Sequence, residues 1–75
     1  MISLDKLSIN EKAKVKKIGN NSLIKRRLLD MGIISGINIE KILTSPFKGI
    51  SAYLVMDSII AIRDKEAKYI EVDYE

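Results

Sequence analysis

The sequence predicts a mainly β fold, a small five-stranded SH3-like barrel with one short helix between strands 1 and 2 and a helical turn before the last strand. Three observations support this prediction. Short apolar segments with near-alternating polarity recur along the 75-residue chain, as is typical of strands. A single segment repeats its apolar residues at helical spacing. Two strand segments lose their alternation near the middle, which indicates bulged strands and a strongly curved sheet.

Length and composition limit the possible functions. The 75 residues make one domain, residues 1–75, with no room for a second core or a deep cleft. The absence of cysteine and histidine removes disulfides, thiolate metal sites and the commonest general base. No serine has a plausible base partner and no phosphate-binding glycine loop is present, so we expect neither catalysis nor a cofactor site. The N-terminus resembles neither a signal peptide nor a membrane span, and we expect a cytoplasmic protein.

The chain begins with an irregular lead-in, Ser3–Asn10, which precedes the first strand. Its apolar residues Leu4, Leu7 and Ile9 are expected to anchor the lead-in on the barrel. Asn10-Glu11 is predicted to form a turn, because asparagine tolerates a positive φ better than most residues.

The two strands on either side of the helix are both predicted to bend. Ala13–Ile18 alternates small apolar residues with lysine, but the alternation breaks after Val15, which indicates a bulge or a bend there. The alternation of the second strand, Ile37–Ile42, slips by one residue between Ile39 and Ile42.

The helix is predicted over about Leu23–Met31. Its apolar residues recur at helical spacing and share one face: Ile24, Leu28 and Met31. Asn21 or Ser22 can cap its start, because a short polar side chain satisfies a free backbone N–H. Gly32 stands where helices commonly end in the left-handed conformation, and Gly36 makes the turn into the second strand. A helix this short does not persist alone in water, so the strands must hold it.

A hairpin is predicted after the polar loop Thr44–Gly49. Its arms are Ile50–Met56 and Ile59–Arg63, and its turn is Asp57-Ser58. One face of the hairpin carries Ile50, Ala52, Leu54, Met56, Ile60 and Ile62. The other face is also apolar, with Tyr53, Val55, Ile59 and Ala61, and is either covered by the helix or an exposed docking patch.

Three short segments complete the predicted fold. Asp64–Ala67 suits a single helical turn that is capped by its first residue and has its last residue facing inward. Tyr69–Val72 is the closing strand, with its two aliphatic residues inward. Asp73–Glu75 is expected to be a frayed acidic end.

Two ordered motifs resemble a known family. Arg27–Gly36 reads Arg-Leu-Leu-Asp-Met-Gly-Ile-Ile-Ser-Gly and resembles the Arg-Leu-x-x-Leu/Met-Gly-x-x-x-Gly signature of the FeoA family. Ile60–Val72 is similar to the family's ending Leu-x-Leu-Arg-x-x-Glu-Ala-x-x-Ile-x-Val. Pro46 also falls where these proteins often carry a proline, whereas Lys48–Ile50 replace a common Gly-Asp-Pro. The residues expected to carry structural roles in the two motifs are Arg27, Leu28, Asp30, Gly32, Gly36, Arg63 and Ala67.

The resemblance implies a small cytoplasmic bacterial protein of ferrous iron uptake with an SH3-like fold. The expected partner is FeoB, the membrane iron transporter with a cytoplasmic GTPase domain, and the implied function is that of an accessory or regulatory interaction module. Related domains occur at the C-terminus of metal-dependent repressors of the diphtheria toxin repressor family. A metal-sensing function is therefore an alternative.

Candidate partner-binding residues come from one basic and one aromatic cluster. The basic cluster Lys25–Arg27 is either a solvated helix face that pairs with Asp30 or an electrostatic docking face for an acidic surface. Phe47 and Tyr53 either line a shallow peptide groove or pack into the core and loop. The predicted partner-binding residues are Lys25, Arg26, Leu29, Phe47, Lys48 and Tyr53.

Two further functions were weighed from the residues. The lysines of Lys12–Lys17 with the helix arginines suggest a nucleic-acid-binding barrel, but the net charge of only +3 and the few aromatic residues argue against it. Glu71, Asp73 and Glu75 project to one side of a strand, where they are either a solvated edge or a weak oxygen-only site for a divalent ion. We predict no dedicated metal site.

Overall fold

The computed structural model describes residues 1–19, 22–44 and 49–74, and confirms the mainly β architecture. One antiparallel sheet contains the strands β1 (Ile2–Ser3), β2 (Lys12–Ile18), β3 (Asn38–Thr44), β4 (Ile50–Val55), β5 (Ser58–Arg63) and β6 (Ile70–Tyr74). Its strand order is β1-β6-β2-β3-β4-β5. The helical elements are a 3-10 turn (Leu4–Lys6), α1 (Ser22–Asp30) and α2 (Asp64–Ala67).

The N-terminal residues Ile2 and Ser3 form a sixth strand that the sequence did not predict. Ile2 pairs with Val72 and Ser3 with Glu71, so β1 is a two-residue edge strand beside β6. Leu4 and Leu7 are buried, as expected. The prediction for Ile9 is wrong, since its side chain is 51% exposed. Ile9 lies in the turn that reverses the chain into β2, and Asn10 has the predicted positive φ, 70°.

Both predicted bends are present. The register of β2 against β6 shifts between Val15 and Lys17, and that of β3 against β4 shifts between Lys41 and Leu43. A bulge adds one residue to one strand and increases its twist, so the two irregularities curve the sheet around its buried face.

Helix α1 ends in a Schellman motif centred on Gly32. The N–H of Gly32 donates to the carbonyl of Leu29 at 3.0 Å, and the N–H of Ile33 donates to the carbonyl of Leu28 at 2.9 Å. Gly32 has φ +89°, a conformation that L side chains rarely adopt. Leu28 and Ile33 are both fully buried, which completes the hydrophobic contact that usually accompanies this motif.

The predicted apolar face of α1 is confirmed. Leu28 is buried, and the half-buried Ile24 and Met31 pack against the core. The helix starts and ends one residue earlier than predicted, because Met31 already lies in the terminal turn. The two candidates for the N-cap cannot be compared, because Asn21 and the side chain of Ser22 lie outside the described residues.

The turn of the hairpin lies one residue earlier than predicted, and the faces of β4 are the reverse of those predicted. The grouping on β5 is confirmed, because Ile60 and Ile62 lie toward the core. The turn is Met56-Asp57, where φ is 49° and 67°, and not Asp57-Ser58. Positive φ at both central residues is the signature of a type I′ turn. The buried side chains of the two strands are Ser51, Tyr53, Val55 and Ile62, whereas Ile50, Met56, Ile59 and Ala61 are exposed. A one-residue slip in register transfers every side chain of one strand to the other face relative to its partner, which is the reason for the error in β4.

The helical turn α2 has the predicted bounds, and Ala67 is fully buried. Asp64 is not its cap, because Arg63 occupies the cap position; the Asp64 carboxylate instead accepts a hydrogen bond from Ser51 Oγ at 3.5 Å. The frayed acidic end was predicted wrongly for Asp73 and Tyr74, which belong to β6. The Asp73 carboxylate lies 3.4 Å from the N-terminal ammonium group.

The core lies inside the curved sheet and is closed by α1, α2 and the 3-10 turn. Its buried apolar side chains are Leu4, Leu7, Ala13, Val15, Leu28, Ile33, Ile39, Tyr53, Val55, Ile62, Ala67, Ile70 and Val72. Among the described helices, none is long and apolar enough to cross a membrane.

Candidate docking surface

An open groove runs between helix α1 and strand β2. It has a volume of about 410 Å³, and we call it the α1 groove. Its lining residues are Lys16, Lys17, Ile18, Lys25, Leu29, Ile34 and Ser35. The groove therefore combines residues from three separate parts of the chain, namely β2, α1 and the loop that follows α1.

Local backbone geometry fixes the wall of the α1 groove. Ser35 Oγ donates a hydrogen bond to the Lys16 carbonyl at 2.9 Å, and the N–H of Gly36 donates to the Val15 carbonyl at 2.7 Å. These bonds fasten the loop to the bulged part of β2. Gly36 has φ +95°, a conformation suited to the tight turn into β3.

The chemistry of the α1 groove is apolar at its floor and positive at its rim. Leu29 and Ile34 are each 46% exposed, and because both line the groove they give it an apolar surface open to solvent. The exposed Lys16, Lys17 and Lys25 supply positive charge, and no carboxylate lines the groove. Such a surface is complementary to an amphipathic segment that carries acidic side chains.

The structure brings some of the predicted partner-binding residues together and separates others. Lys25 and Leu29 line the α1 groove, and Arg26 is exposed on the same helix. Phe47 and Lys48 lie outside the described residues.

Tyr53 does not belong to a docking surface, which corrects its assignment as a partner-binding residue. Its side chain is 0% exposed and packs within the core. The reversed faces of β4 are the cause, because Tyr53 was expected on the side of this strand that the structure turns inward.

Buried polar groups surround Tyr53. Its hydroxyl makes no hydrogen bond of ordinary geometry to a described residue, although the Ser51 side chain lies close enough to interact weakly with it. Lys41 Nζ lies 6.0 Å from the ring centre of Tyr53. Burial raises the pKa of Tyr53 to about 12, although the nearby Ser51 side chain has a smaller opposing effect. The Lys41 ammonium group donates to the Asp5 carbonyl at 3.4 Å.

Sequence reasoning missed Ile34, Lys16 and Lys17 as members of one groove. From sequence the lysines suggest only nucleic-acid binding, and Ile34 occupies a variable position of the first motif. A usable signal was the predicted Gly32 stop, because the residue that follows it returns to the core in a Schellman motif. Once Ile33 points inward, Ile34 is left at the surface.

The two sequence motifs meet through an ion pair. Arg27 of the first motif lies 3.2 Å from the carboxylate of Glu66 in the second, and does not pair with Asp30 as predicted. Glu66 is only 5% exposed, so the guanidinium group compensates a carboxylate that is almost withdrawn from water. Arg63 is exposed at the end of β5.

The described residues contain no group of three or more acidic, histidine or cysteine side chains that could hold a metal ion. Asp73 is engaged with the N-terminus, Glu71 lies opposite Lys17 across the strands, and Glu75 lies outside the described residues.

Comparison with known proteins places these features in context. The family model described as FeoA domain matches residues 2–74. A FeoA-like protein from Clostridium acetobutylicum has a TM-score of 0.90 and 32% identity, over 97% of this chain and 85% of that one. None of the curated proteins matches the chain.

Two further solved structures differ in what they imply. The zinc complex of FeoA from Stenotrophomonas maltophilia, described as a procaryotic SH3 domain protein, has a TM-score of 0.82 and 26% identity, over 97% of this chain and 91% of that one. It supports the predicted SH3-like fold, and a role as a ferrous iron transport activating factor has been suggested for it. A manganese-dependent transcriptional repressor reaches a TM-score of 0.92 at 14% identity, over 99% of this chain but only 36% of that one, which shows a shared fold alone.

Proposed function

Because the chain belongs to the FeoA domain family, we propose that it is an accessory protein of bacterial ferrous iron uptake that docks on the cytoplasmic GTPase side of a FeoB-type transporter. Its place of action is the cytoplasm, and its function is regulatory and not catalytic. The observation that carries the proposal is the α1 groove, with its two exposed aliphatic residues and three lysines.

The mechanism rests on differential contact. A ligand shifts an equilibrium between two conformations only if it binds one of them more tightly. The hydrogen bonds at Ser35 and Gly36 hold the wall of the α1 groove in one shape, so little ordering is needed on binding. The domain thus stabilises the transporter conformation that presents a complementary acidic and apolar surface.

An NMR titration tests this proposal. Isotope-labelled protein is titrated with the cytoplasmic GTPase domain of the transporter from the same organism. We expect amide shifts that cluster at Lys16, Lys25, Leu29 and Ile34, and an affinity that falls as salt concentration rises. An unchanged spectrum at high partner concentration contradicts the proposal.

Charge reversal of single lysines provides a matched control. Lys25→Glu changes the rim of the α1 groove, whereas Lys12→Glu changes an exposed lysine outside it. Lys25→Glu is expected to weaken binding at least severalfold and Lys12→Glu to leave it almost unchanged. Equal effects of the two variants would indicate a non-specific attraction between net charges.

Metal sensing is the second candidate, and the zinc bound by the Stenotrophomonas relative favours testing it. Only oxygen ligands are available in this chain, so a site would hold divalent ions weakly. Titration of labelled protein with Zn²⁺ or Mn²⁺ distinguishes this function, because shifts at Glu71 and Asp73 without shifts in the α1 groove would indicate it.

A further inference from the structure

Strand β5 forms an open edge of the sheet. It pairs with β4 on one side, and no strand lies on its other side in the described part of the chain. An edge strand presents unpaired N–H and C=O groups that can pair with another strand. The opposite edge, β1, is only two residues long, whereas β5 has six.

The hairpin geometry determines which residues of β5 face outward along this edge. In a two-residue type I′ turn, the flanking residues Val55 and Ser58 form a hydrogen-bonded pair. Hydrogen-bonded and non-bonded pairs alternate along an antiparallel ladder. Ile59, Ala61 and Arg63 therefore direct their backbone groups away from β4.

The side chains at this edge are exposed and largely apolar. Ile59 is 67% exposed, and Ala61 and Arg63 are also exposed. Natural edge strands are commonly protected by lysine, proline or a bulge. β5 has no proline and no bulge, and its only charged residue is Arg63 at its end.

We propose that β5 binds a second copy of this chain, antiparallel, about a two-fold axis that passes through Ala61. All three outward-facing residues then take part in the pairing: Ala61 lies opposite Ala61 of the second copy, and Ile59 opposite Arg63 of the second copy. The interface is isologous, because the same strand is used on both sides.

The composition of β5 favours a second copy as the occupant. Identical side chains must meet at a two-fold axis, and the small Ala61 allows this without a clash. Ile59 is opposed by the aliphatic stem of an arginine, which can cover it while the guanidinium group remains in water. Arg63 is the only charged residue of β5 and lies opposite Ile59, so the register brings no like charges together along the strand.

Disulfide cross-linking tests the pairing directly, because the natural chain has no cysteine. Hydrogen-bonded antiparallel partners have Cα atoms about 5.5 Å apart, within the range of a disulfide. Ala61→Cys is therefore expected to form a linked dimer rapidly under mild oxidation. Ala52→Cys is the matched control, since Ala52 lies opposite Ala61 on β4, and three strand spacings, about 14 Å, would separate its two copies.

The relative cross-linking rates of the two cysteine variants show whether β5 pairs with β5 of a second copy. A faster rate for Ala61→Cys than for Ala52→Cys supports the pairing. Equal rates for the two variants overturn it, because random collisions or stacking of two sheet faces would not distinguish β5 from β4.

A charge cycle gives an independent test without oxidation. Ile59→Lys places an ammonium group opposite Arg63 of the second copy, and we expect it to weaken dimerisation roughly tenfold in sedimentation equilibrium. Adding Arg63→Glu restores an opposite-charge pair and should recover the association. Met56→Lys, also at a strongly exposed apolar residue but in the turn, serves as the control. A monomer at all concentrations, or no recovery in the double variant, overturns the proposal.

Discussion

Removing one oxygen atom from the core is expected to stabilise this protein. Tyr53 is fully buried, and its hydroxyl has only a weak contact with the Ser51 side chain and no hydrogen bond of ordinary geometry among the described residues. A buried polar group without a hydrogen bond costs about 1–3 kcal/mol. Tyr53→Phe keeps the ring and removes that cost, but it leaves a small gap where the oxygen was. We expect the free energy of unfolding to rise by about 1 kcal/mol at pH 7.

The same substitution removes a pH dependence. The pKa of Tyr53 is about 12 in the folded protein and 10.0 in its ordinary environment. Below pH 10 both states keep the proton, so the natural protein has its full stability there. Between pH 10 and 12 the unfolded chain loses the proton while the folded chain keeps it, and this favours unfolding. Two pKa units correspond to at most about 2.7 kcal/mol, and Tyr53→Phe cannot show this loss.

Urea unfolding followed by circular dichroism measures both effects. The advantage of Tyr53→Phe over the natural protein should grow steadily as pH rises from 10 to 12. Other alkaline effects, such as deprotonation of lysines, act on both proteins and cancel in the difference. Tyr74→Phe is the control, because Tyr74 is 54% exposed. A constant difference across this pH range, or a less stable variant at pH 7, would refute the reasoning.

Three further predictions concern stability. Gly32→Ala should lower the free energy of unfolding by about 1 kcal/mol because φ at this position is +89°. D-alanine at the same position in a synthetic chain should cause no such loss, and equal urea midpoints for the L-alanine and D-alanine proteins would contradict this reasoning. A double-mutant cycle of Arg27→Ala and Glu66→Gln should give a coupling free energy of about 1–2 kcal/mol in urea unfolding. This is less than for a fully buried pair because Arg27 is half-exposed, and a coupling near zero would mean that the ion pair does not stabilise the fold. Leu28→Ala should cost about 3 kcal/mol in urea unfolding, and a loss below about 1 kcal/mol would mean that α1 contributes little to the core.

The features that the sequence predicted correctly have local causes. A glycine after a helical apolar stripe marks a left-handed stop, and Gly32 has that conformation. A break in alternation marks a bulge, and both breaks proved to be bulges. These features can be predicted from sequence because each depends on the conformation of a few consecutive residues.

The hairpin could not be predicted in the same way. Strand β4 carries apolar residues on both faces, so its pattern fits either register equally well. The position of the turn determines the register, and Met56 in the turn adopts φ 49°. Methionine is not a residue that favours a positive φ, and the aspartate beside it suggested a turn one residue later. Packing of Tyr53 and Val55 against the core overrides the local preference.

The ion pair between Arg27 and Glu66 could not be predicted from sequence for a different reason. Arg27 and Asp30 are neighbours on one helix, which made them the obvious pair from sequence. Glu66 is distant in the chain, and only the packing of α2 onto the core brings its carboxylate to Arg27. Local spacing predicts which charges can meet within an element, but not which elements will meet.

The shifted hairpin also changes the functional interpretation. With the predicted faces, Tyr53 and its neighbours would have formed the apolar docking patch, beside or beneath the helix. With the observed faces, Tyr53 is in the core, and the exposed apolar surfaces are the α1 groove and the β5 edge. None of the residues that line the groove belongs to β4 or β5, and two strands separate β2 from β5 in the sheet. The residues that line the α1 groove are therefore different from those that pair in the proposed β5 dimer, so docking and dimerisation use separate residues of the chain.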